Sequence, residues 1–329
     1  MGALTGQTIA ASYEQLLHVD TDGGGATTTL VPVKDGDNGT TFCLQLATTS
    51  ALISGSGSKL LFSDNGGEYI SGDGTDLTIT SGRHIVLALG SAGSVYHTGD
   101  GGSNNAIYGL NAGIALASGG NQNVLLGEGA GSGLTTGDNN VAIGYNALDA
   151  AVDDETSNVA IGTNAMGGAD QGSHANADVD QNVCIGVNAG YGGDFGSSDL
   201  NFTDNIAIGY ETMDGTGAIG GENNIFIGTG AGGGSWATAA SVKNVGIGSY
   251  VMDAAMNSSN ENTAVGYASL SSITLGDDNV AMGYAAGNDI STGSHNVMLG
   301  VEAGDKTTDV DNAVIIGSQA CGAIMTSAA

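Results

Sequence analysis

Positive charge is scarce in this chain, and its scarcity excludes several functions. Only 5 of the 329 residues are Lys or Arg, against 34 that are Asp or Glu, which gives a formal net charge of -29. Between residues 105 and 329 the only cations are Lys243 and Lys306. Because nucleic acids and anionic membranes are bound by clustered basic residues, we expect neither as a partner. The acidic excess favours the solubility of a long β structure.

Cysteines and long apolar runs are scarce as well. Cys43, Cys184 and Cys321 are odd in number and widely separated, so they predict neither a metal motif nor a disulfide framework. The opening residues, 1–7, have neither the basic start nor the apolar stretch of a signal peptide, and no segment approaches a membrane-spanning helix. We therefore expect synthesis in a cytoplasm, without a standard export signal and without membrane insertion.

Motifs of catalysis are also missing. Residues 55–59, Gly-Ser-Gly-Ser-Lys, lack the Walker spacing, and the five histidines lie far apart. Carboxylates are abundant, yet nothing in the sequence selects a pair of them. We predict that the protein is not an enzyme and has no catalytic, cofactor-binding or metal-binding residues.

A divalent cation such as Ca²⁺ stays open as a ligand. Acidic loops such as residues 153–155 could supply oxygen ligands, although a solvated acidic face is the simpler interpretation. Residues 72–77 match the calcium-binding nonapeptide only loosely and only once, whereas that motif requires regular repetition.

What the sequence has in abundance is a repeated phrase: Asn, a β-branched residue, any residue, a large aliphatic residue, and Gly. Copies begin at Asn123, Asn140, Asn158, Asn182, Asn205, Asn224, Asn244, Asn262, Asn279 and Asn296, with weaker ones at Asn105 and Asn312. The closing glycines lie 17–20 residues apart, except for steps of 24 and 23 residues that end at Gly186 and Gly209. A period this short is typical of a β-solenoid and too short for a helical-pair repeat.

The phrase also predicts which residues share a face. Its β-branched and aliphatic residues lie two apart, so a strand places them on one side. We predict that this side is the inside of the coil and that the residue between them points outward. That middle residue is small in most copies, as in Ala142, Ala160 and Ala207. Small apolar residues on an outward face suit contact with another chain, so the pattern predicts an oligomer.

Three further columns recur in register with the phrase. The asparagines could form amide ladders between coils, or they could merely make each turn, and the sequence leaves both open. An Ala that follows the glycine three residues later, as in Ala147 and Ala165, is predicted to enter a thin core. A tyrosine that follows the glycine directly is either a structural column or a contact surface; it occurs at Tyr145, Tyr210, Tyr267 and Tyr284.

The first hundred residues lack the repeat. Strand-like runs at 27–31 and 41–46 flank a hairpin-type linker at 35–40, and shorter runs follow at 59–62, 77–80 and 84–89. We predict an all-β chain with three regions. Residues 1–50 form a β-rich attachment region, residues 51–104 a connector of short strands, and residues 105–329 a solenoid of about twelve coils. At about 4.8 Å per coil the solenoid is roughly 50–60 Å long.

The repeat carries a resemblance to a known family. The Asn-Val-Ala-Ile-Gly-x-x-Ala phrase at 140–147 resembles the head repeats of YadA-type trimeric autotransporter adhesins. It is still more similar to arrays in bacteriophage tail-fibre and other virion fibre proteins, and residues 16–25 and 67–79 resemble stretches common in structural proteins of marine phages. The resemblance implies a left-handed parallel β-roll, three chains side by side, and binding by surface contact. The signal peptide, heptad stalk and membrane anchor expected of an autotransporter are not found, which favours a virion protein released by lysis.

These expectations combine into a homotrimeric virion fibre. Its N-terminal region attaches to other virion proteins, and its repeat array lies on the virion surface, projects outward and binds a host receptor or glycan. Two alternatives stay open: a polysaccharide-degrading tailspike enzyme, and a purely structural decoration or filament protein.

The two long steps predict where recognition takes place. Their extra residues, within 167–181 and 191–204, are expected to emerge as loops, and loops often carry binding. Surface ornament or locking of the trimer is the simpler reading of these loops. The candidate receptor contacts are Tyr191, Phe195 and Phe202, together with Trp236, the single tryptophan, in a nearby linker.

Overall fold

A computed structural model of the chain describes residues 102–150, 155–169, 178–192, 201–217, 220–236 and 239–322, together with the backbone of four strands nearer the N-terminus. The chain divides into two compact units, Met1–Ala88 and Leu89–Ala329. None of the described residues belongs to a helix long and apolar enough to cross a membrane.

The N-terminal unit contains a four-stranded antiparallel sheet in chain order. Its strands are β1 (His18–Val19), β2 (Val31–Lys34), β3 (Thr41–Ala47) and β4 (Ser50–Ile53). Lys34 pairs with Thr41, which agrees with a hairpin across residues 35–40. Strands expected at 59–62, 77–80 and 84–89 lie outside the described residues.

The second unit is a β-solenoid with a twelve-stranded parallel sheet, as the repeat predicts. Strands that follow one another in the chain are neighbours in the sheet, and equivalent residues pair, as Ala142 does with Ala160. The strands are β5 (Ala106–Tyr108), β6 (Val124–Leu126), β7 (Val141–Ile143), β8 (Val159–Ile161), β9 (Val183–Ile185), β11 (Ile206–Ile208), β13 (Ile225–Ile227), β14 (Val245–Ile247), β15 (Thr263–Val265), β16 (Val280–Met282), β17 (Val297–Leu299) and β18 (Val314–Ile316). A small parallel pair, β10 (Phe202–Thr203) and β12 (Gly221–Glu222), forms a second sheet.

Each coil turns at residues with positive φ. The glycine that ends each strand has φ near +140°, and a Cβ at Gly162 would lie 2.3 Å from the carbonyl oxygen of Gly186 on the next coil. Other corners are not glycine: Ser157, Asn164 and Met166 have φ of 60°, 54° and 52°. A left-handed residue other than glycine costs about 1–2 kcal/mol. Contacts between stacked coils must therefore outweigh strain that is built into every coil.

The strands present their two faces in the opposite sense to the one predicted. The middle residues, such as Ala142, Ala160 and Ala207, are fully buried, whereas the flanking Val141 and Ile143 are partly exposed. The prediction that the small residue points outward is therefore wrong. A coil of about 17 residues has a narrow interior, and opposite each strand it is already occupied by larger side chains.

Those larger side chains come from the segment after each closing glycine. Leu148, Met166 and Met213 are fully buried there, beside the alanines at 147 and 165 that were predicted to enter the core. Cys184 is buried at an alanine position, as expected for a small hydrophobic residue. Burial raises the pKa of its thiol, which keeps the thiol protonated and unreactive.

The asparagine column forms a buried hydrogen-bonded ladder, which decides between the two alternatives. The Asn158 backbone N–H donates to Asn140 Oδ1 at 3.0 Å, and Asn140 Nδ2 donates to the carbonyl of Glu155 at 2.7 Å. The same two bonds recur along the column from Asn105 to Asn296. Each amide therefore joins two consecutive coils.

The last rung corrects one assignment in the repeat. The N–H that donates to Asn296 Oδ1, at 2.9 Å, belongs to Ala313 and not to Asn312. Asn312 instead has φ of 57° and occupies the corner that His295, with φ of 60°, occupies one coil earlier. The weak copy assigned to Asn312 is thus shifted by one residue.

Candidate functional site

The exposed side of the twelve-stranded sheet is apolar over its whole length. This outer face consists of the first and third residue of each strand in the sheet. Among these strands, Thr263 is the only non-aromatic residue of the face that carries a hydroxyl group. Exposure is greatest at the C-terminal end, with Val314 at 70% and Ile316 at 65%. Large contiguous apolar surfaces usually mark an interface with another molecule.

The tyrosine column is exposed and does not enter the core. The rings of Tyr267 and Tyr284 stack with centroids 5.5 Å apart and planes 8° from parallel. Tyr250, from the neighbouring corner position, meets Tyr267 edge-on at 5.8 Å. Tyr145 and Tyr210 are equally exposed elsewhere on the solenoid. The column therefore offers aromatic contact surface.

A cleft of about 240 Å³ lies beside Tyr191 and is lined by Asn164, Asn188, Tyr191 and Asp214. These residues come from three successive coils: Asn164 follows β8, Asn188 and Tyr191 follow β9, and Asp214 follows β11. Asn164 and Asn188 occupy the same left-handed corner, two residues after the closing glycine. Stacking brings their amides together, and Asn164 Nδ2 donates to Asn188 Oδ1 at 3.3 Å.

One repeat position beside the cleft changes from coil to coil. Tyr191 and Asp214 both stand five residues after a closing glycine, and the equivalent position one coil before Tyr191 is Gly167. A Cβ at Gly167 would lie 3.0 Å from the carbonyl oxygen of Asn146 and 3.0 Å from Asp149 Oδ1, both in the preceding coil. The adjacent Gly168 lets the ring approach, because a Cβ there would lie 2.8 Å from Tyr191 Cε1. The ring of Tyr191, supported by Gly168, therefore forms one wall of the cleft and is 41% exposed.

The pKa of the carboxyl group in the cleft is raised toward neutral pH. Burial, and next the charge of Glu211, raise the pKa of Asp214 to about 6. Asp149 and Asp253 occupy the equivalent position in other coils, and burial raises the pKa of each. Asp214 differs from Asp149 in having a carboxylate, Glu211, at the corner where Asn146 stands in the earlier coil.

Two of the four candidate receptor contacts are buried in this structure. Phe202 is fully buried, and Trp236 is 4% exposed, with Nε1 donating to the carbonyl of Gly232 at 3.2 Å. The expectation that both rings are exposed contact groups is therefore wrong. The repeat explains Phe202: it stands three residues before a ladder asparagine, and its carbonyl accepts a bond from Asn182 Nδ2 at 2.6 Å.

Of the other two, Tyr191 lines the cleft, and Phe195 lies outside the described residues, as do residues 170–177 and 193–200 of the expected loops. Sequence analysis missed Asn164, Asn188 and Asp214. The signal that could have found them is the asparagine two residues after the closing glycine, repeated in consecutive coils where Gly167 interrupts the neighbouring column.

The described part of the structure contains no preformed metal site. No group of three or more His, Cys, Asp or Glu side chains lies close enough to hold an ion among those residues. Glu155 of the acidic loop is buried, whereas residues 72–77 and 151–154 lie outside the described ranges.

No protein-family model matches the chain, and neither a curated protein nor a solved structure does. Its function is therefore inferred from its own sequence and geometry.

Proposed function

We propose that the chain is the subunit of a homotrimeric virion fibre that projects from the particle and binds the host surface. The observation that carries the proposal is the apolar outer face, which continues from β6 to β18 on a chain of net charge -29. A partner that covers this face has to be apolar and has to repeat with the spacing of the coils. A second copy of the same chain meets both conditions.

The outer face is large enough to hold such an assembly together. Complete burial of one Val or Ile side chain contributes about 1.5–3 kcal/mol. Because most strands present two such residues, burial of even part of the face offsets the cost of association, about 4–15 kcal/mol. Closed cyclic symmetry then limits growth, and the resemblance to trimeric adhesin heads favours three copies over two.

The remaining features support a fibre that meets another surface. The stacked coils make a rod roughly 50–60 Å long. The separate antiparallel sheet of the N-terminal unit suits attachment to other virion proteins, and the resemblance of residues 16–25 and 67–79 to marine phage proteins points to the same setting. The exposed tyrosine column and the cleft beside Tyr191 supply contact groups for a receptor or glycan.

Two measurements test the proposal. Antibodies raised against the purified protein should label fibres on intact particles in electron micrographs, and purified protein added before infection should reduce adsorption of particles to host cells. A matched control is the Val159→Glu/Ile161→Glu variant, which we expect not to assemble and therefore to compete poorly. Unlabelled particles would refute the virion location, and unchanged adsorption would favour a purely structural decoration.

The proposal also holds that the fibre binds without hydrolysis. Purified protein incubated with host-surface polysaccharide should leave the polymer's size distribution unchanged. A steady release of defined oligosaccharides would contradict this and favour the tailspike alternative.

A further inference from the structure

We infer that the cleft between Asn164, Asn188, Tyr191 and Asp214 binds one uncharged sugar ring of a host-surface glycan. The inference rests on the proposed function, since it names the ligand class and the residues through which the fibre would recognise its host.

The size of the cleft sets the size of the ligand. Its volume of about 240 Å³ lies below the range of roughly 300–1,000 Å³ that is usual for drug-sized ligands. A single six-membered sugar ring is a smaller ligand than these. A longer glycan would therefore place one ring in the cleft and extend its other rings over the surface.

The cleft combines the groups that a sugar ring requires. The exposed ring of Tyr191, held against Gly168, offers a flat apolar face for the C–H groups on one side of a pyranose. The amide pair offers polar groups. Because Asn164 Nδ2 donates to Asn188 Oδ1, the groups left without a partner among the described residues are Asn164 Oδ1 and Asn188 Nδ2, an acceptor and a donor. Neighbouring hydroxyls on a sugar match such a pair.

The charge of the cleft selects against acidic sugars. Asp214 lines it, and Glu211 lies close enough to affect the Asp214 charge. The cations of the described solenoid are engaged elsewhere: Lys243 pairs with Glu261 at 2.9 Å, and Lys306 with Asp289 at 3.5 Å. A uronic or sialic acid would therefore meet carboxylate without a compensating positive charge. A hydroxyl group of an uncharged hexose can instead donate a hydrogen bond to the Asp214 carboxylate.

The test measures binding of defined oligosaccharides to the full chain by saturation-transfer NMR and calorimetry. The probes are neutral hexose oligosaccharides and their uronic- and sialic-acid-containing counterparts. Wild-type protein should bind at least one neutral probe and no acidic one. Tyr191→Ala should weaken binding about tenfold, the loss expected from one aromatic contact. Tyr284→Ala, which removes an exposed ring elsewhere on the solenoid, should leave binding unchanged.

A second variant separates recognition from folding. Asp214→Asn keeps the side-chain size and removes the charge, so the acidic counterpart of the bound neutral probe should now bind measurably. Neutral probes that fail to bind wild-type protein, or that bind Tyr191→Ala and wild type equally, would overturn the inference.

Binding of the labelled protein to host cells, measured in parallel, distinguishes the two levels of the account. Cell binding by a protein that ignores every neutral sugar would refute the cleft and leave the fibre function standing. Tyr191-dependent sugar binding by a protein that does not bind host cells would support the cleft and refute the fibre function.

Discussion

The ring of Phe226 fills the space that a side chain at Gly246 would take. The two residues are register partners on β13 and β14, and a Cβ at Gly246 would lie 2.5 Å from Phe226 Cδ1. Other coils hold alanine at this position, as at Ala207 and Ala264. A large residue on one coil is thus compensated by the absence of a side chain on the next, so core volume is conserved across neighbouring coils.

This compensation predicts a strong coupling between the two positions. Gly246→Ala should destabilise the solenoid by about 1–3 kcal/mol through overpacking. Phe226→Ala should cost about 3–5 kcal/mol through the cavity it leaves. The added methyl fills part of that cavity, so the double variant should lose clearly less than the sum of the two. Denaturant unfolding followed by circular dichroism measures all three, and additive losses would contradict the described packing.

The asparagine ladder predicts a large cost for a small deletion. Asn244 Oδ1 accepts the N–H of Asn262 at 3.0 Å, and its Nδ2 donates to the carbonyl of Ser259 at 2.8 Å. Asn244→Ala leaves both buried partners unsatisfied, at about 1–3 kcal/mol each. Asn312→Ala is the control, because Asn312 is exposed and outside the ladder, and its loss should cost about 1 kcal/mol or less. Equal losses of stability in the two variants would show that the ladder does not stabilise the solenoid.

The strand-ending glycines predict a position-specific intolerance to any side chain. Gly162→Ala places a methyl group against the backbone of the next coil at φ of 135°, so the variant should fail to fold or lose several kcal/mol. Gly217 also has positive φ, 56°, but a Cβ there meets no described atom within 4 Å. Gly217→Ala should therefore cost only about 1 kcal/mol of backbone strain. Melting temperatures distinguish the two, and similar shifts would contradict the close approach of the coils.

The carboxyl group of Asp214 predicts a pH-dependent stability. Its pKa in the folded chain, about 6, is above the ordinary value of 3.8, so between those values the folded chain holds a proton that the unfolded chain releases. This group's contribution to stability is therefore greatest below that window and falls as the pH rises through it. Asp214→Asn should flatten the dependence, and Glu211→Gln should lower the Asp214 pKa. A carboxyl ¹³C titration with a midpoint near 4 would contradict the burial of Asp214.

The sequence predicts the architecture well because the constraint repeats. The Asn and Gly columns recur with the coil, and their spacing alone indicates parallel strands stacked in register. It does not predict which face is inside, since alternation shows that Val141 and Ile143 share a face but not where that face points. The decision depends on Leu148 and the residues like it, which fill the interior from the opposite side of the coil.

The candidate site was less predictable for a different reason. A repeat predicts uniform structure, whereas the cleft lies where the repeat varies: Gly167, Tyr191 and Asp214 occupy the same position in three successive coils. Phe202 and Trp236 are aromatic residues in or near the long steps, and this alone predicts contact groups. The structure buries Phe202 three residues before the ladder residue Asn205 and packs the Trp236 ring against Gly221. The ring of Tyr191 packs against Gly168 of the preceding coil and is 41% exposed.

The association of whole chains tests the central proposal most directly. Light scattering of the full chain at micromolar concentration should give three times the chain mass of 32.1 kDa. Val159→Glu/Ile161→Glu charges the outer face and should yield a folded monomer, whereas Ala160→Glu, whose side chain points into the core, should unfold the coil. Thr292→Glu adds charge at an exposed linking segment and should remain trimeric. A wild-type monomer, or a Val159→Glu/Ile161→Glu variant that still assembles, would contradict the account.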